Sequence, residues 1–139
     1  MNMDSFIFEL RMKVRDYECD SQGIVNNSVY QNYLEHTRHE YLESLGVKFI
    51  DLHTLGIDPV VARIDIQYKT PLRGGDEFVC KLYVKKEGIK YTFYQNIYRA
   101  SDNELSIKAK VETVCLENGK LTRGEYFDKI FPSDTQSGI

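Results

Sequence analysis

The stretch Asp20-Ser21-Gln22-Gly23-Ile24-Val25-Asn26-Asn27, running straight into Ser28-Val29-Tyr30-Gln31-Asn32-Tyr33-Leu34, decides how this chain is read. A polar loop containing a glycine gives way to a helical pattern. Tyr30, Tyr33, Leu34, Tyr41, Leu42 and Leu45 recur with the 3.6-residue period of a helix, and Thr37 fills the gap in the stripe. Asn27 or Ser28 suits the start as a cap, and Gly46 suits the end as a stop. The pattern predicts one long helix of about five turns, enough to lie across a sheet.

The flanking segments follow a different rhythm. Before the loop, Phe6, Phe8, Leu10, Met12 and Val14 alternate with Glu9, Arg11, Lys13 and Arg15, the period of a half-buried strand over residues 6–17. After the helix comes a connector, 47–58, with a short helix at 50–55. Residues 60–68, 78–84, 91–98 and 107–116 are rich in Val, Ile, Tyr and Phe and read as strands. Turn residues separate them at 70–76, 85–88, 101–103 and 117–120, the last containing Asn118-Gly119. One strand, one long helix and then a run of strands is an α+β order, a largely antiparallel sheet packed on one principal helix. A single helix covers one face of such a sheet, so a second copy of the chain is expected to complete the burial. Residues 1–139 read as one domain, with 132–139 as a loose tail.

Composition narrows the function. Among 139 residues, 18 are basic and 21 acidic, a net charge of −3, which argues against a nucleic-acid-binding domain. No stretch approaches the ~20 apolar residues of a membrane helix, and the N-terminus lacks the basic-then-apolar pattern of a signal peptide. Cys19, Cys80 and Cys115 are widely spaced and odd in number, as expected of reduced thiols. A cytoplasmic protein without membrane or nucleic-acid partners is the expectation.

The loop is where chemistry concentrates. Asp20 is its only carboxylate after Cys19, Gly23 permits a tight backbone turn, and the first helical N–H groups lack intrahelical partners at the positive end of the dipole. A carboxylate is thereby paired with an anion-stabilising backbone end. D-x-x-G before a helix is, by itself, also a common turn and cap.

Tyr17-Glu18-Cys19-Asp20-Ser21-Gln22-Gly23-Ile24-Val25 with Asn27-Ser28-Val29-Tyr30 resembles the signature of hotdog-fold thioesterases of the 4-hydroxybenzoyl-CoA thioesterase type. Asn26 to Tyr30 and Arg38-His39-Glu40-Tyr41-Leu42-Glu43 are especially similar to the branch that includes plant acyl-ACP thioesterases. Ile64-Asp65-Ile66-Gln67-Tyr68-Lys69-Thr70-Pro71-Leu72 and Gly74-Gly75-Asp76 resemble the family's second strand and the turn after it. The resemblance covers residues 6–121. It implies a hotdog fold, five antiparallel strands wrapped around one long helix. It also implies a homodimer or homotetramer with active sites at the subunit interface, and hydrolysis of a coenzyme A or acyl carrier protein thioester.

The resemblance also implies roles. Asp20 matches the catalytic carboxylate, with two roles open: nucleophile on the thioester carbonyl, or general base on a water. The oxyanion donor falls on the backbone N–H of Asn27, and Gly23 shapes the turn. Tyr30 and Tyr33 are candidate acyl contacts that equally suit the core. Val60, Val61, Ala62 and Arg63 are candidate pocket walls. Arg73, Lys85, Lys86 and Lys90 lie near turns and are available to carrier phosphates. His36 and His39 are not spaced as H-E-x-x-H, and the remaining histidine is His53, so no metal is expected. Glu35–His39 and His36–Glu40 pairs on a solvated helix face are expected instead. No phosphate-cradling nucleotide loop is present, and no cofactor is expected. The competing readings are a hotdog module that binds an acyl thioester without hydrolysing it, and a hotdog hydratase or dehydratase.

Overall fold

In the computed structural model, which describes residues 5–132 and residue 135, the initial alternation becomes strand β1, Phe8–Lys13. Phe8, Leu10 and Met12 turn inward, and Glu9, Arg11 and Lys13 face solvent. Helix α1 spans Val29–Ser44. Gly46, at φ 87°, ends it: its N–H meets the Glu43 carbonyl at 2.9 Å, and the Val47 N–H meets the Leu42 carbonyl at 3.0 Å. That left-handed stop satisfies two of the last carbonyls of the helix. The connector contains α2, Phe49–Leu52, and a 3₁₀ turn, His53–Leu55.

Four longer strands follow: β2 Ile57–Tyr68, β3 Glu77–Glu87, β4 Lys90–Arg99 and β5 Leu105–Glu117. Their order is β1-β3-β4-β5-β2, with every pair antiparallel. A two-residue strand, β6 Lys120–Leu121, adds to β5, and α3, Glu125–Asp128, follows it. The sequence pattern does not predict β6 or α3, because neither is long enough to display a period. The loose tail expected over 132–139 lies outside the described residues except for Pro132 and Thr135, and Thr135 is buried. No helix among the described residues is long and apolar enough to cross a membrane.

The sheet curls around α1, the hotdog arrangement. Phe78, Cys80, Leu82 and Val84 of β3 are all buried on its concave face. Helix side chains pack into that face: the Tyr33 and Phe78 rings lie 4.6 Å apart, and Phe8 and Tyr41 lie 5.4 Å apart. One polar residue of β4 is wholly enclosed there. Gln95 donates from Nε2 to the Leu34 carbonyl at 3.1 Å and accepts from Arg38 Nη1 at 3.0 Å. Sheet and helix are therefore tied by hydrogen bonds in a place where unpaired polar groups are costly.

A second tie holds the segment ahead of the helix. The Tyr33 hydroxyl donates to Glu18 Oε1 at 2.7 Å, and Glu18 also accepts from the Arg15 N–H at 2.9 Å and guanidinium at 3.1 Å. Burial works to raise the Glu18 pKa, but the hydrogen bonds from Arg15 and Tyr33 outweigh it and hold the carboxyl below its ordinary value of 4.5.

Gln95→Leu strips Arg38 of its acceptor and should cost about 3 kcal/mol in urea unfolding, with Tm falling roughly ten degrees. The double variant Gln95→Leu/Arg38→Met, which removes both partners, should recover most of that loss. If the double variant is as unstable as the two single losses added, the pair does not act as a unit.

Tyr33→Phe should cost about 1 kcal/mol at neutral pH. The lowered Glu18 pKa stabilises the fold above the unfolded value near 4.5 and loses that contribution as pH falls below it. The stability gap between wild type and Tyr33→Phe should therefore narrow on acidification, read from urea midpoints at pH 7 and pH 3.5; a constant gap would refute the assignment.

Candidate active site

Residues 19–25 form a small hairpin. Cys19 pairs with Val25, and the Asp20 N–H bonds the Ile24 carbonyl at 2.9 Å. The Gly23 N–H returns to the Asp20 carbonyl at 2.9 Å, closing a four-residue turn with Gly23 at φ 80°. Other residues adopt that conformation with strain, so glycine is required by the backbone itself. Asp20 is exposed, and its Oδ1 accepts from the N–H groups of Gln22 at 2.8 Å and Ile24 at 3.4 Å. Its second oxygen, Oδ2, takes no partner among the described residues. The carboxylate is thus oriented by one oxygen and open at the other.

The hairpin hands directly into α1. The Asn26 side chain occupies the first turn, accepting from the Ser28 N–H and Oγ, each at 3.2 Å, while the Asn26 carbonyl takes the Val29 N–H at 2.9 Å. Asn26, rather than Asn27 or Ser28, supplies the side-chain cap. The Asn27 N–H meets no acceptor among the described residues. Its carbonyl accepts from the Tyr68 hydroxyl at 3.3 Å, which sets the end of β2 beside the start of the helix.

Tyr30 and Tyr33 are core residues. The Tyr30 hydroxyl accepts from the Leu72 N–H at 3.0 Å and from Ser106 Oγ at 3.4 Å, and Tyr33 is spent on Glu18. Burial raises the Tyr33 pKa well above its ordinary value, and the hydrogen bond to Glu18 adds to the effect. Both rings serve to position the loop from beneath.

A cavity of about 300 Å³ opens along the second half of α1, between the helix and the far end of β2. Val60 and Val61 line it; Ala62 and Arg63 do not. The pairing of β2 with β5 slips between Val61 and Arg63, and that irregularity separates the two halves of the expected wall. Leu42 and Phe93 add apolar surface, and Phe127 and Phe131, on and just beyond α3, complete it. Arg38 also lines the cavity although it is only 8% exposed. Beyond its bond to Gln95, its guanidinium lies 6.0 Å from the Phe93 ring centre. Burial pulls the Arg38 pKa down to about 10, so the group stays charged at neutral pH.

The histidines divide. His39 is half-buried, lines the cavity and stacks on Phe49 with ring centres 3.8 Å apart. Its Nε2 lies 3.7 Å from Glu35 Oε2, the expected helical pair, but the face is a cavity wall rather than a solvated surface. Burial lowers the His39 pKa, partly opposed by Glu35, so the imidazole is neutral at pH 7. His36 is exposed.

Arg73 is bridged to Ile24 and so stands beside the Asp20 hairpin. Lys85, Lys86 and Lys90 do not join it within the protomer. They lie at the other end of β3, some ~30 Å along the strand. Lys86 is engaged by Asp128 and the Arg123 carbonyl, each at 2.7 Å, and Lys90 by Glu112 at 2.8 Å. These contacts pin α3 and the β4–β5 face. Arg38 is the cavity residue that sequence reasoning passes over. Its signal is visible nonetheless, since it falls four residues after Leu34 and four before Leu42, inside the apolar stripe.

Similarity to known proteins agrees with this geometry. Residues 14–132 match the family described as the Thioesterase-like superfamily. The acyl-acyl carrier protein thioesterase ATL3, chloroplastic, of Arabidopsis thaliana is 36% identical over 111 residues, 79% of this chain and 58% of the relative. The chain thus spans about six-tenths of the length of that plant protein. A hypothetical protein from Aquifex aeolicus superposes with a TM-score of 0.82 at 28% identity, over 90% of this chain and 100% of that one. The DHNA-CoA thioesterase of Staphylococcus aureus superposes at 0.77 with 23% identity, over 90% and 83%, a likeness of fold. With the hotdog sheet, the Asp20 hairpin and a family match over nearly its whole length, this chain belongs to the Thioesterase-like superfamily.

Proposed function

We propose that the chain is a thioester hydrolase that cleaves an acyl-CoA or acyl-acyl carrier protein thioester to a free acid and a thiol. The observation that carries this is the pairing, in one short hairpin and helix start, of an Asp20 carboxylate oxygen without a partner among the described residues and the uncommitted Asn27 N–H. Asp20 Oδ2 either adds to the thioester carbonyl carbon, giving an anhydride that water then cleaves, or takes a proton from the attacking water. In both routes charge develops on the carbonyl oxygen, and the Asn27 N–H at the positive helix end is the donor for it. The leaving group is a thiolate, whose conjugate acid has a pKa near ~8.5, so departure needs little acid assistance. Gly23 keeps the turn tight, and Arg73 beside the hairpin is the cation suited to a carrier phosphate.

A homodimer, alone or within a tetramer, belongs to the same reading. β2 is an edge strand that exposes Val60, Val61 and Tyr68, an arrangement suited to pairing with a second β2. Antiparallel pairing brings the Val60 end of one strand toward the Tyr68 end of the other. The cavity of one subunit then opens beside the Asp20 hairpin of its partner. The homologous plant protein acts, by its name, on acyl carrier protein thioesters, and the Staphylococcus aureus protein on a coenzyme A thioester, which leaves both carriers within the proposal. Three free thiols suit a reducing compartment such as the cytoplasm. A second reading, a hydratase or dehydratase, draws on the His39–Glu35 pair in the cavity.

Asp20→Asn keeps an oxygen to accept from Gln22 and Ile24 but loses the charge. Turnover of the best substrate in a panel of acyl-CoA and acyl carrier protein thioesters, read as free thiol, should fall at least about a hundredfold, with Tm little changed. Near wild-type turnover would leave Asp20 a turn residue and favour the second reading.

Sedimentation equilibrium at micromolar concentration should give a dimer or tetramer. A stable monomer would remove the shared site.

A further inference from the structure

Arg38 is more deeply enclosed than its role in packing demands. A buried guanidinium carries five N–H donors and a full charge, and leaving it without a counter-ion is costly. Here one bond, Nη1 to Gln95, is made, and no further acceptor is found for Arg38 among the described residues. The remaining donors belong to a side chain that forms part of the cavity wall, among Leu42, Val60, Val61, Phe93 and Phe131. Glu35 and His39 line the same cavity, yet Glu35 pairs with His39 and His39 is neutral at pH 7.

An apolar chamber with one enclosed cation in its wall is built for a ligand that is apolar along its length and carries an acceptor at one point. A plain hydrocarbon chain would fill the space and leave the cation without a partner. We propose that this cavity selects acyl groups whose far end carries an acceptor oxygen, an oxo group or a carboxylate, received by Arg38. This rests on the reading of the chain as a thioesterase and adds the chemistry that its acyl group must have. Arg38 is then a specificity-determining contact, distant in sequence from Asp20 and without part in the bond cleavage.

The test uses three thioethers of coenzyme A, which bind without being hydrolysed: S-octyl, S-(7-oxooctyl) and S-(7-carboxyheptyl). Calorimetric titration of the wild-type protein should show at least one oxygen-bearing analogue binding about tenfold or more tighter than the octyl analogue. Arg38→Met, which keeps the length of the side chain, should erase that advantage and leave octyl binding unchanged or tighter. Equal binding of all three to wild type, preference for octyl, failure of all three to bind, or an advantage that survives Arg38→Met would each overturn the proposal. Should Arg38→Met not fold, the wild-type comparison still decides. The two readings fail separately. Hydrolysis of octanoyl-CoA without a preference for oxygen-bearing tails removes the role of Arg38 and leaves the esterase. A preference for those tails in a protein whose turnover ignores Asp20→Asn removes the mechanism and leaves the binding site.

Discussion

A carboxamide inside an apolar sheet, Gln95, holds the helix that everything else leans on. Its two hydrogen bonds reach the Leu34 carbonyl and the Arg38 guanidinium, one turn apart on α1. Apolar packing alone tolerates a helix that slides or turns by a fraction of a residue, because one methyl contact replaces another. Directional bonds in a medium of low dielectric do not. The other buried polar groups of α1 have equally specific partners: Thr37 Oγ1 donates to the Tyr33 carbonyl at 2.8 Å, Tyr33 to Glu18, and Tyr30 accepts from Leu72. The inward face of the helix is thus a set of addresses, and its rotation within the sheet has one solution.

The functional features are distributed along that helix. At its start, Tyr30 and Tyr33 anchor the turns on either side of the Asp20 hairpin, so the carboxylate and the Asn27 N–H are carried on a braced loop. Along its second half, Arg38, His39 and Leu42 form one wall of the cavity. The opposite wall is β2, whose two ends serve different places, Val60 and Val61 at the cavity and Tyr68 at the Asn27 carbonyl. A strand that touches both features and is open along its outer edge is the natural line on which two copies would share a site.

Much of this is legible in the sequence, for reasons that differ by element. The alternation around Phe8 and the spacing of Tyr30, Tyr33, Leu34, Tyr41 and Leu42 are visible because each element buries one face and repeats over enough residues to show it. Asp20 and Gly23 stand out because a left-handed turn and a lone carboxylate are local properties. The cavity is invisible in the same text, since Arg38, Val60 and Phe131 are far apart and only the curl of the sheet brings them together. Lys86 shows the opposite error. It reads as a free cation near a turn, but Asp128, 42 residues later, has claimed it. Tyr30 and Tyr33 have apolar bodies and polar tips, and sequence cannot say whether the tip meets substrate or a backbone amide.

The place of β2 in the sheet has a consequence for how the chain is made. β2 is synthesised early, but its partner β5 comes only after β3 and β4. β1 likewise waits for β3 across the whole of α1. A nascent chain therefore displays two unpaired strands while its helix is already complete, a topology rich in distant contacts and slow to close. During that interval Val60, Val61, Ile64 and Ile66 form a sticky ribbon that other nascent copies can meet before β5 does. Charged Arg63 and Asp65 between them act as gatekeepers, spacing the apolar residues until the sheet is shut.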